Sequence, residues 1–97
     1  MNMQAMLRQA QQMQREIMKK KEEIDKKIFP GKSEWVEVEF NGKKEIQSVK
    51  IMKKDLKSDD FEMLEDMIMI AIKDANSKID NEIASKLEKY SSLSGLI

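Results

Sequence analysis

The sequence contains no cysteine and no histidine in its 97 residues. These two absences exclude thiolate nucleophiles, imidazole bases, disulfide bonds and the usual ligands of zinc and haem. Glycine is also scarce, and Gly31, Gly42 and Gly95 are isolated, so no glycine-rich loop for a nucleotide phosphate is present. We therefore expect a protein that is not an enzyme and that binds no cofactor.

Long apolar segments and an excess of one charge are absent as well. The longest uncharged apolar run, residues 67–72, is far shorter than the roughly 20 residues that cross a bilayer, and the N-terminus lacks a signal-peptide pattern. Basic and acidic residues number 18 each, so the formal net charge is zero. We expect a cytoplasmic protein with one domain over residues 1–97, in which any anion site depends on where the charges lie.

The first quarter of the chain has apolar residues at alternating three- and four-residue steps, which is typical of a helix with one apolar face. These residues are Met3, Met6, Ala10, Met13, Ile17, Ile24 and Ile28. The pattern predicts a helix from about Asn2 to about Ile28 that stops before Pro30 and Gly31. A rod of roughly 40 Å does not fit on the core of so short a chain, so we expect part of it to project or to pair with another chain.

A two-residue period follows, because apolar residues alternate with glutamates over residues 36–40. This alternation predicts a strand, and Asn41-Gly42 predicts a hairpin turn with positive backbone φ. The return strand is expected over residues 45–52. A third strand at residues 28–29 stays open, and Pro30 would confine it to a sheet edge.

The register of the return strand does not follow from simple alternation. Ile46 has the opposite parity to Val49 and Ile51, so a regular strand would place them on opposite faces. This conflict favours a longer loop or a bulge near Gln47-Ser48.

A second long helix is predicted after Ser58. Asp59 as N-cap and Glu62 three residues later form a capping box, and helical spacing of apolar residues continues to about Tyr90, before a frayed tail. A second apolar row widens the face of this helix beyond one stripe, and we expect it to form a dimer interface. Its members are Met63, Met67 and Ile70. The predicted fold is α+β: a long N-terminal helix, a small antiparallel sheet of two or three strands, and a long C-terminal helix.

The neutral total hides an uneven charge distribution. Residues 1–32 carry eight basic and four acidic side chains, residues 33–57 carry six and five, and residues 58–97 carry four and nine. Four cations of the first helix share one narrow arc opposite its apolar face, and we call them the basic stripe. They are Arg8, Arg15, Lys19 and Lys26. Lys43 and Lys44 add two mobile cations at the hairpin tip, whereas the acidic second helix should repel a polyanion.

A solvated helix surface is the simpler interpretation of the same cations. Three i,i+4 pairs would support the first helix and neutralise part of the stripe. They are Glu16/Lys20, Glu22/Lys26 and Glu23/Lys27. The carboxylates of the second helix lack the spacing of a calcium-binding loop, so we expect no metal site.

Three segments together carry a resemblance to a known family. They are MNMQAMLRQAQQMQREI, VEVEFNGKKEIQSVKI and DFEMLEDMIMIAIKDA, in that order along nearly the whole chain. The sequence resembles the YbaB/EbfC family of bacterial nucleoid-associated proteins. The resemblance implies a homodimer whose helices project like tweezers from a central sheet, which binds DNA through both long helices, and which influences nucleoid organisation or transcription without catalysis. The glycine-rich stretch usual between first helix and hairpin is reduced here to FPGKSEW.

The working hypothesis is a homodimer that binds the phosphates of double-stranded DNA through the basic stripe, Lys43 and Lys44, with no membrane and no small-molecule substrate as partner. A prefoldin-like coiled-coil chaperone or adaptor is the alternative, because two helices joined by a hairpin also describe such proteins. That alternative predicts that the two helices of one chain pair along their full length. A plain assembly module without a nucleic-acid role is a third possibility.

Overall fold

The computed structural model describes residues 2–88. Along this part of the chain it contains two long helices, three strands and one 3₁₀ turn, and the predicted α+β class is confirmed. The elements are α1 (Met3–Lys26), β1 (Phe29–Lys32), β2 (Val36–Phe40), β3 (Ile46–Ile51), the 3₁₀ turn (Ser58–Asp60) and α2 (Phe61–Leu87).

Helix α1 begins at a side-chain cap. The Asn2 Oδ1 accepts hydrogen bonds from the backbone N–H groups of Gln4 at 2.7 Å and Ala5 at 3.3 Å. The helix ends at Lys26, about two residues earlier than predicted, because the chain becomes extended at Lys27 to enter the sheet.

Most of α1 projects from the rest of the molecule. Ile24 is the one residue of this helix that is buried in the described chain, whereas Met3 near the free end is 85% exposed. The molecule measures 70 × 20 × 15 Å, and its radius of gyration is 19.5 Å. A compact domain of this length would have a radius of gyration of about 13 Å. The predicted projection is therefore confirmed. No helix within residues 2–88 has the length and apolar character of a membrane span.

The sheet is antiparallel with the order β1-β2-β3, so the third strand exists and lies at an edge. It is longer than residues 28–29, since Pro30 and Gly31 lie inside β1 rather than between elements. Helix α2 closes the outer edge of this strand: the Asp74 carboxylate accepts from the Lys32 backbone N–H at 3.0 Å, and Lys78 donates to the Pro30 carbonyl at 2.9 Å. Pro30 has no backbone N–H, so it leaves no unpaired donor at this edge of the sheet.

Helix α2 packs closely on the sheet because both partners use small residues. A Cβ atom on Gly31 would lie 2.1 Å from the Ala71 carbonyl oxygen and 2.7 Å from the Ala75 Cβ. Ala71 and Ala75 are fully buried. The core is one cluster between α2, β1, β2 and the end of α1. Its buried members are Ile24, Phe29, Val36, Val38, Phe40, Ala71, Ala75 and Ile79.

The hairpin contains the predicted irregularity. Glu39 pairs with Ser48 but Phe40 pairs with Ile46, so Gln47 is an extra residue in β3 and forms a bulge. The bulge places Ile46 on the same sheet face as the other apolar residues of β3. The loop between the strands spans residues 41–45, which confirms the longer connection.

The predicted positive φ at Asn41-Gly42 is wrong. Within the described chain, the one non-glycine residue with positive φ is Lys44, at 65°, and no glycine there has a positive φ. Gly42 is required for a different reason, since a Cβ atom there would lie 1.9 Å from the Ile24 carbonyl oxygen. Its N–H donates to the Asp25 carbonyl at 3.2 Å, so the hairpin tip rests directly on the end of α1.

The predicted cap of the second helix is also wrong in its residues. In place of the predicted Asp59–Glu62 box, the Asp60 carboxylate accepts from the Lys57 backbone N–H at 3.0 Å, and this bond lies in the 3₁₀ turn. Helix α2 then starts at Phe61 without a side-chain cap. Tyr90 and the predicted tail lie outside the described residues.

Candidate nucleic-acid interface

The basic stripe lies on the projecting part of α1 and at its sheet end. All four side chains are exposed, and within residues 2–88 none of them makes an ion pair. At 1.5 Å per residue, the stripe extends about 27 Å from Arg8 to Lys26. It is a straight row of cations, because α1 has no interior proline or glycine to bend it.

Amide side chains accompany the middle of the stripe. Arg15 shares a shallow depression of about 310 Å³ with Gln11, Gln14 and Met18. Glutamine amides donate hydrogen bonds to phosphate oxygens, and the arginine fork binds them at two positions. The environment of Arg15 therefore suits an anion with several oxygen atoms.

The hairpin tip extends the stripe by one lysine. Lys43 and Lys26 line the same cleft of about 520 Å³, because Gly42 brings the tip against the end of α1. Asn41 and Gln47 add polar side chains to this cleft. Three carboxylates also line it, so its potential is mixed and its cations are partly compensated. They belong to Glu22, Asp25 and Glu45.

Lys44 differs from its neighbour. Its ammonium nitrogen lies 2.9 Å from Oδ1 of Asp80 on α2. The two lysines of the tip were both predicted to be free cations at the tip, whereas Lys44 is paired with a carboxylate of its own chain. The contact was not predictable from sequence, since 36 positions separate its partners and no local pattern relates them.

Another lysine, which the sequence spacing assigned to a pair within the first helix, joins α1 to α2 instead. Lys27 forms an ion pair with Glu82 and lies 5.5 Å from the centre of the Phe29 ring. The hydrogen bond that the Lys27 ammonium group donates to the Glu82 carboxylate lowers the pKa of Glu82, although burial of the carboxylate acts to raise it. Lys27 therefore holds the two helices together instead of supporting α1 through Glu23, as the spacing predicted.

Helix α2 presents carboxylates to solvent on its other faces. Glu62 and Asp66 are exposed and make no ion pair within the described chain. Asp74 is engaged with β1, and the Lys32 N–H lowers the pKa of its carboxyl group. No group of three or more acidic side chains in residues 2–88 has the geometry to hold a metal ion. These carboxylates disfavour a polyanion along α2.

Two apolar surfaces are left uncovered by the described chain. On α2, Met63 is 47% exposed and Ile70 is 50% exposed, whereas Met67 is partly buried against the core. On the sheet, Val49 and Ile51 lie directly opposite the buried Val38 and Val36 and therefore share their face, yet both remain exposed. Neighbouring exposed apolar side chains are typical of a surface that another protein covers.

The chain is similar to proteins of one bacterial family. The sequence profile described as the YbaB/EbfC DNA-binding family matches residues 1–94. A relative named nucleoid-associated protein from Ligilactobacillus salivarius is 34% identical over 94% of this chain and 89% of its own length. A relative of the same name from Lactococcus lactis is 39% identical over 93% of both chains. Another, from Chloroflexus aurantiacus, is 39% identical over 80% of both chains.

Proposed function

Because the chain belongs to the YbaB/EbfC DNA-binding family, we propose that it is a homodimeric nucleoid-associated protein that contacts DNA phosphates through α1 and the hairpin tip. Its place would be the nucleoid in the cytoplasm, and it would influence nucleoid organisation or transcription by occupying DNA. No catalytic step is part of this function.

The observation that carries the proposal is the exposed and unpaired basic stripe. A salt bridge to its own chain would have to break before a cation could bind phosphate, and the stripe has none within residues 2–88. Its length of about 27 Å is comparable to most of one turn of B-DNA. The stripe therefore has the length and the free charge to follow a DNA backbone.

Dimerisation would double this surface. The apolar surfaces that a partner subunit would cover are Met63 and Ile70 on α2 and the exposed face of β3. Met67 would contribute less than predicted, because it already packs on its own core. The free half of α1 would project from such a dimer, so that two stripes are presented to one duplex.

The binding mode would be electrostatic and weakly selective for sequence. The long α1 carries cations and amides along its length, whereas base readout requires a few side chains placed inside a groove. Each phosphate neutralised adds about 0.9 to the slope of log affinity against log salt. A dimer that uses six to eight cations would therefore lose DNA steeply as salt rises.

A charge-reversal experiment tests the proposal. In the Arg15→Glu, Lys19→Glu double variant, we expect DNA binding to fall by at least about a hundredfold at low salt, since two cations per subunit become anions. The matched control is Lys54→Glu with Lys73→Glu, which has the same net charge but alters exposed lysines outside α1. Gel shifts with a labelled duplex and light scattering for the oligomeric mass are the measurements. Equal binding by the folded double variant and the wild type would overturn the assignment.

The chaperone alternative is favoured by one observation, the exposed apolar side chains at the free end of α1. Met3, Met6 and Leu7 are 85%, 51% and 61% exposed. The helices meet where Lys27 pairs with Glu82 and where Lys20 lines a depression with Ser85 and Glu88, at the end of the described part of α2. Full-length pairing therefore stays a prediction of this alternative. A chaperone would suppress aggregation of an unfolded protein, and added DNA would not change that activity.

A further inference from the structure

The hairpin tip holds Lys44 in an unusual backbone conformation. Its φ of 65° lies in the left-handed region, which residues with a Cβ atom seldom adopt outside turns. Asn41 supports this conformation: its carbonyl accepts from the Lys44 N–H at 3.0 Å, and its Oδ1 accepts from the N–H groups of Lys43 and Glu45 at 2.9 and 3.0 Å. These hydrogen bonds fix the backbone of the loop, and the loop backbone sets the directions of the Lys43 and Lys44 side chains.

The two lysine side chains lie beside different helices. Lys43 lines the cleft beside Lys26, at the end of the basic stripe. Lys44, the next residue, places its ammonium group 2.9 Å from Oδ1 of Asp80 on the acidic α2. One cation of the tip thus belongs to the proposed DNA surface, and the other is occupied by a carboxylate of the same chain.

The exposure of this ion pair distinguishes it from the Lys27–Glu82 ion pair. The side chains of Lys44 and Asp80 are 47% and 61% exposed. In the Lys27–Glu82 pair the carboxylate is only 17% exposed. A pair that is open to water on both sides contributes little to folding and exchanges partners readily, whereas a half-covered pair is harder to replace. The Lys44–Asp80 pair is therefore poorly suited to stabilise the fold and well suited to exchange.

We propose that Asp80 competes with DNA phosphate for the Lys44 ammonium group, and so limits the affinity of this protein for DNA. In the free protein the carboxylate of Asp80 occupies the position that a phosphate oxygen would take. On binding, Lys44 exchanges one anionic oxygen for another, so its net contribution to affinity is smaller than that of a stripe residue. This inference rests on the proposed DNA-binding function.

The Asp80→Asn variant tests the competition directly. Removing the carboxylate frees Lys44, and we expect DNA binding about two- to fivefold tighter per subunit, the range that an exposed ion pair represents. The slope of log affinity against log salt should become steeper by about 0.9 for each lysine released. Asp55→Asn is the matched control, because it removes the same charge from an exposed loop residue that makes no ion pair within residues 2–88.

A second substitution separates competition from a general charge effect. Lys44→Gln should weaken DNA binding more in the Asp80→Asn background than in the wild type, because Lys44 is free to bind phosphate only in that background. If the carboxylate acted through net charge alone, the two losses would be equal. Circular dichroism and light scattering would confirm that each variant keeps its fold and oligomeric mass.

The outcomes distinguish this proposal from the function on which it rests. Tighter, more salt-sensitive binding by Asp80→Asn, with no such change in Asp55→Asn, supports the competition. If the wild type binds the duplex and Asp80→Asn binds it equally, the competition is overturned and the DNA-binding function stands. If no variant binds the duplex at any salt concentration, both are overturned.

Discussion

The two long helices have similar lengths but differ in burial, in surface charge and in their role in the fold. Helix α1 has 24 residues, buries one of them and carries the basic stripe, which makes no ion pair within residues 2–88. Helix α2 has 27 residues, buries three beneath the sheet and exposes both carboxylates and an apolar face to solvent. One helix is a projecting cationic rod and the other is the structural support of the domain. A net charge of zero therefore says little about what a protein binds when its cations and anions lie on separate elements.

The largest expected effect tests which helix holds the fold together. Ile79→Ala removes a fully buried side chain from α2, and it should lower the free energy of unfolding by about 2–5 kcal/mol through lost contacts and a cavity. Met6→Ala on α1 is the matched change, since Met6 is 51% exposed and should alter stability by less than about 0.5 kcal/mol. Urea unfolding at one fixed protein concentration measures both. Similar losses in the two variants would refute the contrast between the helices.

The next effect concerns the contact that fixes the hairpin tip on α1. Gly42→Ala would place a Cβ atom 1.9 Å from the Ile24 carbonyl oxygen, so the tip has to move away. We expect a loss of about 1–3 kcal/mol in the free energy of unfolding, because overpacking forces a backbone shift. Lys43→Ala, at the adjacent exposed position, should change stability little. Equal stability of Gly42→Ala and the wild type would show that the tip does not rest on α1.

A smaller effect compares the two ion pairs that α2 makes with other elements of the described chain. Glu82→Gln should lower stability by about 1 kcal/mol or less, and Asp80→Asn by still less, because only the Glu82 pair is partly covered. Thermal unfolding at neutral pH measures the difference. A larger loss in Asp80→Asn would contradict the distinction between a structural and an exchangeable pair.

The Glu82 pair also predicts a pH dependence. The hydrogen bond from Lys27 holds the folded-state pKa of Glu82 below its ordinary value of 4.5. The pair therefore contributes its full stabilisation above about pH 4.5, and this contribution is lost as the pH falls through the lowered folded-state pKa. Glu82→Gln should lose less stability than the wild type over that acidic interval. Identical acid profiles for the two proteins would argue against the pair in solution.

The smallest expected effect is the loss of a single stripe cation. Arg8→Gln should reduce the salt slope of DNA binding by about 0.9 per subunit, because one phosphate contact disappears. Lys73→Gln removes the same charge from an exposed residue of α2 and should leave the slope unchanged. A slope that responds equally to both substitutions would mean that the stripe has no special role.

Sequence patterns predicted the elements well where the signal is local. The alternation of Val36, Val38 and Phe40 matches their burial, and the parity of Ile46 predicted the bulge at Gln47. The spacing of α1 also predicted its projection, because a long rod and a small core are incompatible. Periodicity and turn chemistry act over a few residues, so they are readable without a structure.

Contacts between distant parts of the chain were not predictable in this way. The Lys44–Asp80 and Lys27–Glu82 pairs join residues that share no repeat, and Gly42 is needed for its approach to α1 rather than for a positive φ. The capping error has a similar origin. A 3₁₀ turn precedes α2, and the Asp60 carboxylate accepts a hydrogen bond within that turn instead of capping α2. For the candidate site, the sequence placed the cations on one arc but did not show which of them were already paired.

The central claim is that DNA binds along α1 and avoids α2, and lysine footprinting measures this most directly. The protein would be acetylated briefly with and without a saturating duplex at low salt, and the modification at each lysine would be quantified by mass spectrometry. The account predicts that DNA protects Lys19, Lys26 and Lys43, while the exposed Lys73 and Lys86 of α2 react as before. Protection of Lys73 and Lys86 equal to or greater than that of Lys19 and Lys26 would contradict it.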